Sequence, residues 1–555
     1  MISDACPSAA LKAAARRFEP SRTGSGPMEQ WDVVVIGSGA GGMTAAVALA
    51  NAGKRVLVLE QHYLPGGWAH SFSLEGHRFS PGVHYVGGLG EGGDMRAILE
   101  GIGVGGDMEF YELNPDGYDH VIAGEQRFDI PKGFEAFKRR LCERFPHERR
   151  GIERYFAYMR QIDDEMTRSR RVRPPLATLK ALLLTPRLAL TGLRPISRRI
   201  AKYVSDPFLI TILESRSGDH GVSPARVPAA MHIGIDAHYW EGGWYPKGGG
   251  GAFPRAFVRR LKSKGGEIRL RTRVGGVILE DTPSGKRARG VRLDDGTEIH
   301  ADMVLSNADP HMTYRELVGD EHLSKRLLRR LGRLEYSVSS LSLYMATDLD
   351  LESMGLDSGN YWICEKPDVD AIYRYAEQHH DLESAGPLPG GFLTVTTLKD
   401  PSKKKGEVHT MEAFAMVSYD AFKPWIGSMT EERPEEYDRL KGILIGRMLD
   451  MIEPLVPGLR DHLLLCELGT PLTNQHYVNS HLGNLYGTAK TARQIGPFSF
   501  PITTEIDGLF HCGASTTSHG VMGVVYSGLL ASKKMLGVRM KDLLVHSDEG
   551  RVTVH

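Results

Sequence analysis

The stretch Trp31-Asp-Val-Val-Val-Ile-Gly-Ser-Gly-Ala-Gly-Gly-Met43 sets a β-branched run directly against a cluster of glycines. Val33 to Ile36 reads as a buried parallel strand. Gly37, Gly39 and Gly42 then spell G-x-G-x-x-G, with Ser38, Ala40 and Gly41 completing the loop. Met43 to Ala52 is helix-forming, Gly53 suits the helix C-cap, and Lys54 to Leu59 is a second apolar strand ending in Glu60. In such a β-α-β unit the first glycine makes the tight turn and the second admits a pyrophosphate to the backbone. The third lets helix pack on strand. The positive end of the helix then faces the phosphates. Glu60 lies 18 residues after Gly42, where a carboxylate accepts hydrogen bonds from a ribose and disfavours a 2′-phosphate, which argues against NADP.

The glycine pattern alone carries little weight. Gly88 to Gly93 and Gly101 to Gly106 match it too, yet neither follows a buried strand or leads into a helix and an acid, so both are expected to be turns. The residues after Glu60 separate FAD from NAD. Gly66 and Gly67 form a second glycine turn. A short hairpin comes next, Ser71 to Ser73 with His77 to Phe79, and then a tight Pro81-Gly82 turn. A simple NAD unit would continue into another helix; a loop and hairpin here suit a chain wrapped along FAD.

With these residues in view, the chain resembles the phytoene desaturase-related FAD oxidoreductases, and more narrowly their retinol saturase and carotenoid isomerase branch. The marks are LPGGWAHSF and FSPGVHYVG near the N-terminus, the segment Gly242 to Val274, VLSNADPHMTY (Val304 to Tyr314), Leu468 to Ala489, and Ile506 to Ser532. They run in order from about Trp31 to Leu536. The resemblance implies an α/β architecture: a Rossmann-type FAD-binding domain of the GR2 or amine oxidase-like kind with an inserted α+β substrate domain. It implies cofactor contacts from Gly37, Ser38, Gly39, Ala40, Gly41, Gly42, Glu60 and Gln61. Gly66, Gly67, Trp68, Ala69, Gly82 and Val83 come next, then Val274, Asn307, Gly513, Ala514, Val521 and Met522. Residue patterns support two of these segments independently. Lys247 to Gly251 precede an amphipathic helix, Ala252 to Lys264, then a Gly265-Gly266 turn and a strand, Glu267 to Arg271. Gly508 to Cys512 is a strand, Gly513 a turn, and Val521 to Leu536 a helix rich in small residues whose N-terminal dipole would approach the flavin. The last loop, STTSHGVMG, departs from the family's proline- and glycine-rich turn, so desaturation is not assigned by default.

At 555 residues the chain is too long for one compact core. The FAD-binding domain is expected from 31–110, 242–314 and 469–540, and the substrate domain from 111–241 and 315–468, after a flexible leader (1–30) and before a tail (541–555). Residues 111–241 are mainly helical in pattern, and 315–468 hold strand-like runs at Ser337 to Met345, Phe392 to Leu398 and Val408 to Val417. Leu398 to Gly406 reads as a turn with a solvated lysine run. Basic and acidic residues balance, 68 against 68, and nothing suggests nucleic acid. Five cysteines without a CxxC argue against a disulfide framework or a metal site and for a reducing, cytoplasmic setting. Met166 to Ser205 carries ten Lys/Arg and no acid. Two readings fit it: a buried helix pair with basic ends, or an interfacial anchor at a membrane surface.

FAD exchanges a hydride at N5, and the protein holds a carbon against it. The implied substrate is an apolar polyene of retinoid or carotenoid type. Three outcomes share the scaffold: saturation, cis–trans isomerisation, or, as an alternative, carotenoid desaturation. An alternative of another class is a lipid carrier or escort that holds FAD without catalysis. Saturation needs a proton donor; His84 and Tyr85 lead, with His519 and Tyr477 next, against the plainer role of hydrogen bonding to flavin or backbone. His232, His238, Trp240 and Trp244 are candidates to line a substrate channel, with core packing as the alternative. No second complete dinucleotide unit is present, so no electron donor or acceptor is assigned.

Overall fold

The computed structural model describes residues 30–169, 185–283, 285–428 and 432–555. The leader through residue 29, and 170–184 of the basic segment, lie outside the described residues. The opening unit forms as its sequence predicts: strand Gln30–Ile36, helix Ala40–Asn51, strand Val56–Leu59. It stands at the centre of a seven-stranded sheet. In spatial order the strands are Val274–Thr282, Gly285–Leu293, Glu298–Ser306, Gln30–Ile36, Val56–Leu59 and Glu267–Arg269. Glu298–Ser306 pairs in parallel with the opening strand. Its first residues bond the antiparallel hairpin and its last bond Leu509–His511 in parallel.

The run of β-branched residues is required because both faces of this sheet are covered. Val33 and Val35 pack into the helical layer. Val34 and Ile36 pack on the opposite face with Tyr314 and Leu317, from the π-helical segment His311–Gly319. Helix Ala40–Asn51 is buried from Ala40 to Ala50, wedged against helices Ala252–Ser263 and Gly520–Leu536. A helix buried all round has no polar stripe, and its alanines and glycines set how near its neighbours come. A Cβ added at Gly528 would lie 2.2 Å from the Gly41 carbonyl oxygen.

A second seven-stranded sheet builds the other half. Its order is Leu463–Gly469, Ser339–Thr347, His409–Val417, Gly390–Val395, Asn360–Cys364, Asp119–Ala123 and Gln126–Ile130. One face packs Leu343, Leu393, Met411 and Ala413 against helix Glu435–Ile452. The opposite face looks toward the first sheet. Helices Phe134–Arg144, Arg149–Ser169, Pro207–Glu214 and Ala229–Tyr239 close one side.

Several local expectations change. Residues 111–241 are mainly helical, as expected, but they also supply the hairpin Asp119–Ile130 to the second sheet. Its buried Asp119 and His120 hide the strand pattern. Asn360–Cys364 and Leu463–Gly469 are further strands. A helix, Asp94–Gly101, does follow the Gly88 to Gly93 turn, but only an isolated bridge at Val86 precedes it. The last residues are not a loose tail. Thr553–Val554 pairs with Glu109–Phe110, and Glu549 pairs with Arg260. Within the basic segment Pro186 opens helix Pro186–Thr191 and Pro195 precedes Ile196–Ile200. Among the described residues no single helix is long and apolar enough to cross a membrane.

The packing at Gly528 is directly testable. Gly528→Leu should lower unfolding stability by at least about 1–3 kcal/mol through overpacking. Gly442→Ala lies in the exposed interior of helix Glu435–Ile452, with nothing within 4 Å of the added Cβ. It should raise stability by about 0.5–1 kcal/mol. Denaturant midpoints at constant slope read both changes.

Candidate active site

The two glycine turns are joined by one serine and one acid. Ser38 donates to Glu60 Oε2 from its backbone N–H (2.9 Å) and from its hydroxyl (2.6 Å). The same hydroxyl oxygen accepts from the Gly66 N–H at 2.9 Å. Glu60 Oε1 accepts from the His62 N–H at 2.9 Å. Lone pairs remain on the carboxylate for a further donor. Close approach explains the glycines themselves. A Cβ at Gly42 would lie 2.4 Å from the Gly37 oxygen, and one at Gly39 would lie 2.7 Å from Asn307 Nδ2. Asn307 also sits 2.9 Å from where a Cβ at Gly513 would be, so it stands between the first and last glycine turns.

One cavity runs from these turns to the second sheet. At one end it is lined by Glu60, Gln61 and Val274. It continues past Gly37, Gly39 to Gly41, Asn307, Gly513 and Ala514. Gly66 to Ala69, Gly82 to Tyr85 and Val521 line its middle. Its far wall includes Trp362, Phe392, Phe414 and Met416. Trp362 stands opposite Phe392, and Phe392 opposite Phe414, on three adjacent strands. The register thus makes an aromatic ladder facing the cavity. Ser38, Gly42 and Met522, expected as cofactor contacts, lie behind the lining rather than in it. Ser38 is fully buried and holds the two turns together.

His84 packs against Phe414 and Phe392, with ring centroids 4.6 and 5.4 Å away. Its Nε2 lies 3.2 Å from Glu412 Oε2. Glu412 is fully buried, and its other oxygen accepts from the Ser80 N–H at 2.8 Å. Lys399 Nζ donates to the His84 carbonyl at 2.7 Å and also to Asn360 Oδ1. The lysine run is therefore not simply solvated. Lys399 and Lys403 are 2 % and 8 % exposed, and burial pushes them down to about 7 and about 8.

Tyr85 stacks on Tyr239, centroids 4.3 Å apart, and its hydroxyl donates to Asp219 Oδ2 at 2.8 Å. Burial raises the Tyr85 phenol above its ordinary range. Arg216, beneath them, pairs with Asp119 at 2.9 Å and Asp236 at 3.1 Å and donates to Tyr118 Oη at 2.6 Å. Asn360 Nδ2 donates to Asp119 at 2.9 Å, so a continuous polar chain links Arg216 through Asn360 to Lys399.

Five further expected site residues are not in the cavity lining. His519 Nε2 donates to the Asp219 backbone oxygen at 3.1 Å, and burial pushes its pKa down to about 3, leaving it neutral. His232 is fully buried, donating to the Leu213 oxygen at 2.9 Å. Trp240 packs on Phe134, and Trp244 lies in the core strand Trp244–Pro246. His238, beside them, is half-buried with its Nε2 accepting from the Gly87 N–H. Tyr477 does line the cavity, edge-on to His62 at 5.6 Å. Sequence reasoning missed Asp219, Lys399, Glu412 and the ladder. Only the ladder left a trace, in Phe392 and Phe414, each within a strand-like run.

Comparison with known proteins agrees with this geometry. Residues 40–432 match the model of the family described as flavin containing amine oxidoreductase. An all-trans-retinol 13,14-reductase from Danio rerio is 30% identical over 486 residues, 83% of this chain and 78% of that protein. A chloroplastic prolycopene isomerase from Daucus carota is 27% identical over 536 residues, covering 93% and 82%. Among solved structures, an oxidoreductase from Methanosarcina mazei superposes with a TM-score of 0.62 at 18% identity, covering 91% of this chain and all of that one. The chain belongs to the flavin-containing amine oxidoreductase family, in its retinol saturase and carotenoid isomerase branch.

Proposed function

We propose that the protein is an FAD-dependent oxidoreductase that saturates or isomerises carbon–carbon double bonds of an apolar, retinoid- or carotenoid-like polyene. The observation that carries this reading is the aromatic ladder of Trp362, Phe392 and Phe414, which walls the same cavity that the glycine turns open into. The residues present fit FAD. Gly39 and Gly41 leave no room for a side chain beside Asn307, and Glu60 is nearly buried at the strand end where a ribose would lie. Backbone from Gly37 to Gly41, with Gly513 and Ala514, would receive the diphosphate, and Val274 the adenine. Gly66 to Ala69, Gly82, Val83 and Val521 would border the ring system. Bound there, FAD supplies hydride exchange at N5.

The protein's own share is to exclude water, hold the polyene flat and manage a proton. The ladder and Met416 give an apolar surface on which a conjugated chain lies with little desolvation cost. His84 and Tyr85 stand between this surface and the second glycine turn, which supports an enzyme over a carrier that keeps its groove away from the cofactor. A desaturase would use the same cavity in the reverse direction. Peripheral attachment to a membrane forms part of this reading. Leu190 and Leu193 are 72% and 47% exposed, with exposed Arg187, Arg194 and Arg198 about them.

Purified holoenzyme, its flavin photoreduced or oxidised, should convert retinoids or cis/trans carotenoids. Product mass should show two hydrogens gained, or a new isomer at unchanged mass. Loss of two hydrogens would identify a desaturase, and no change with any polyene would remove this substrate class.

Glu60→Gln should weaken flavin retention about 10- to 100-fold, the worth of a charge-assisted hydrogen bond, read by flavin fluorescence on dialysis. Phe414→Ala should keep the flavin absorbance and lower kcat/KM for the polyene about 10- to 100-fold, mainly through KM.

A further inference from the structure

We propose that Asp219 is the proton donor for saturation of the polyene, with Tyr85 as its positioning residue. This rests on reading the cavity as a flavin-dependent polyene site. Asp219 lines the cavity, on the short helical turn Ser215–Asp219 that leads away from helix Pro207–Glu214. Three parts of the site meet there. Tyr85, from the segment after the second glycine turn, donates to its Oδ2 at 2.8 Å. His519, at the start of helix Gly520–Leu536, donates to its backbone oxygen at 3.1 Å. Its neighbour Gly218 abuts Trp362 of the ladder so closely that an added Cβ would lie 2.1 Å from the indole. The carboxyl group therefore stands where cofactor loops and polyene wall come together.

Its electrical surroundings keep a proton on it near neutrality. Arg216 is the nearest cation, but Asp119 and Asp236 form its salt bridges, and Asp219 makes none among the described residues. Burial, followed by those two carboxylates, raises Asp219 to about 7 against the opposing pull of Arg216 and the Tyr85 hydrogen bond. The other titratable neighbours are held neutral by burial: the phenols Tyr118, Tyr239, Tyr373 and Tyr486, and the imidazole of His220. His519 is neutral. His84 Nε2 faces the buried Glu412 carboxylate at 3.2 Å. A carboxylic acid titrating near the working pH is suited to general-acid catalysis.

The step balances simply. A hydride from the reduced flavin forms a C–H bond at one alkene carbon, and the π electrons shift to the conjugated neighbour. That carbon takes the proton from the Asp219 carboxyl. Two C–H bonds form while the alkene π bond, the N5–H bond of the reduced flavin and the carboxyl O–H bond break. The flavin is oxidised by two electrons, the alkene is reduced, and solvent returns a proton to the carboxylate. Without a donor the delocalised anion can only give the hydride back, which scrambles geometry at unchanged mass.

The test compares the holoenzyme with Asp219→Asn, Asp219→Glu and Tyr85→Phe, each checked for flavin absorbance, by product mass and pH profile. Wild-type saturation should fall about tenfold per pH unit above a limb near pH 7, because the acid must be protonated. Asp219→Asn should lose at least about 100-fold in saturation and lose the limb, with product shifting toward isomer. Asp219→Glu should restore the limb. Tyr85→Phe removes a bond that favours the ionised carboxylate, so the limb should move to higher pH. Saturation by Asp219→Asn with an unchanged limb overturns the proposal. If that variant fails to hold flavin, Tyr85→Phe decides: an upward shift supports the proposal, and an unmoved or lowered limb overturns it. A wild type inert toward every polyene brings down the reading of the cavity itself, and that result precedes any variant.

Discussion

A single buried carboxylate organises the cofactor end of this molecule. Glu60 takes two hydrogen bonds from Ser38, and Ser38 in turn takes one from Gly66. The first glycine turn, the strand end and the second glycine turn are thereby locked as one body. Everything downstream inherits that placement. The hairpin Phe72–Phe79 and the Pro81 to Tyr85 segment leave from the second turn, and they deliver His84 and Tyr85 to the cavity. Gly528 enforces the same closeness from the other side, bringing helix Gly520–Leu536 onto helix Ala40–Asn51.

The other half of the cavity is held by a network that is costly to bury. Arg216, Asp119, Asn360 and Lys399 form a connected chain beneath the wall, ending on the His84 carbonyl. Removing one partner from such a buried pair costs about 3–5 kcal/mol, since the other charge is left uncompensated. In return the network fixes the backbone at His84, on the loop after the Pro81-Gly82 turn. Apolar packing alone does not orient a loop so closely. The aromatic ladder shows the complementary principle, because strand pairing alone sets its spacing.

The opening β-α-β unit was legible because its determinants are local: a β-branched run, glycines at fixed spacing, an acid at the next strand end. The hairpin and the last strand–turn–helix were legible for the same reason. The lysines of Leu398 to Gly406 were not, because burial of Lys399 depends on Asn360 and Asp119, both distant in sequence. His232, Trp240 and Trp244 have the composition of a channel lining and the positions of a packed core. Only three-dimensional placement separates the two. Asp219 carries no motif at all; it becomes notable through a tyrosine 134 residues away.

The sheet that opens with Gln30–Ile36 is completed by Leu509–His511, and the glycine loop is roofed by the helix after that strand. The halves of the nucleotide site are thus nearly the whole chain apart. During ribosomal synthesis one edge of Glu298–Ser306 must wait unpaired until Leu509–His511 has emerged. Cofactor capture is consequently a late event in the life of each molecule, and the interval before it is when chaperones matter most.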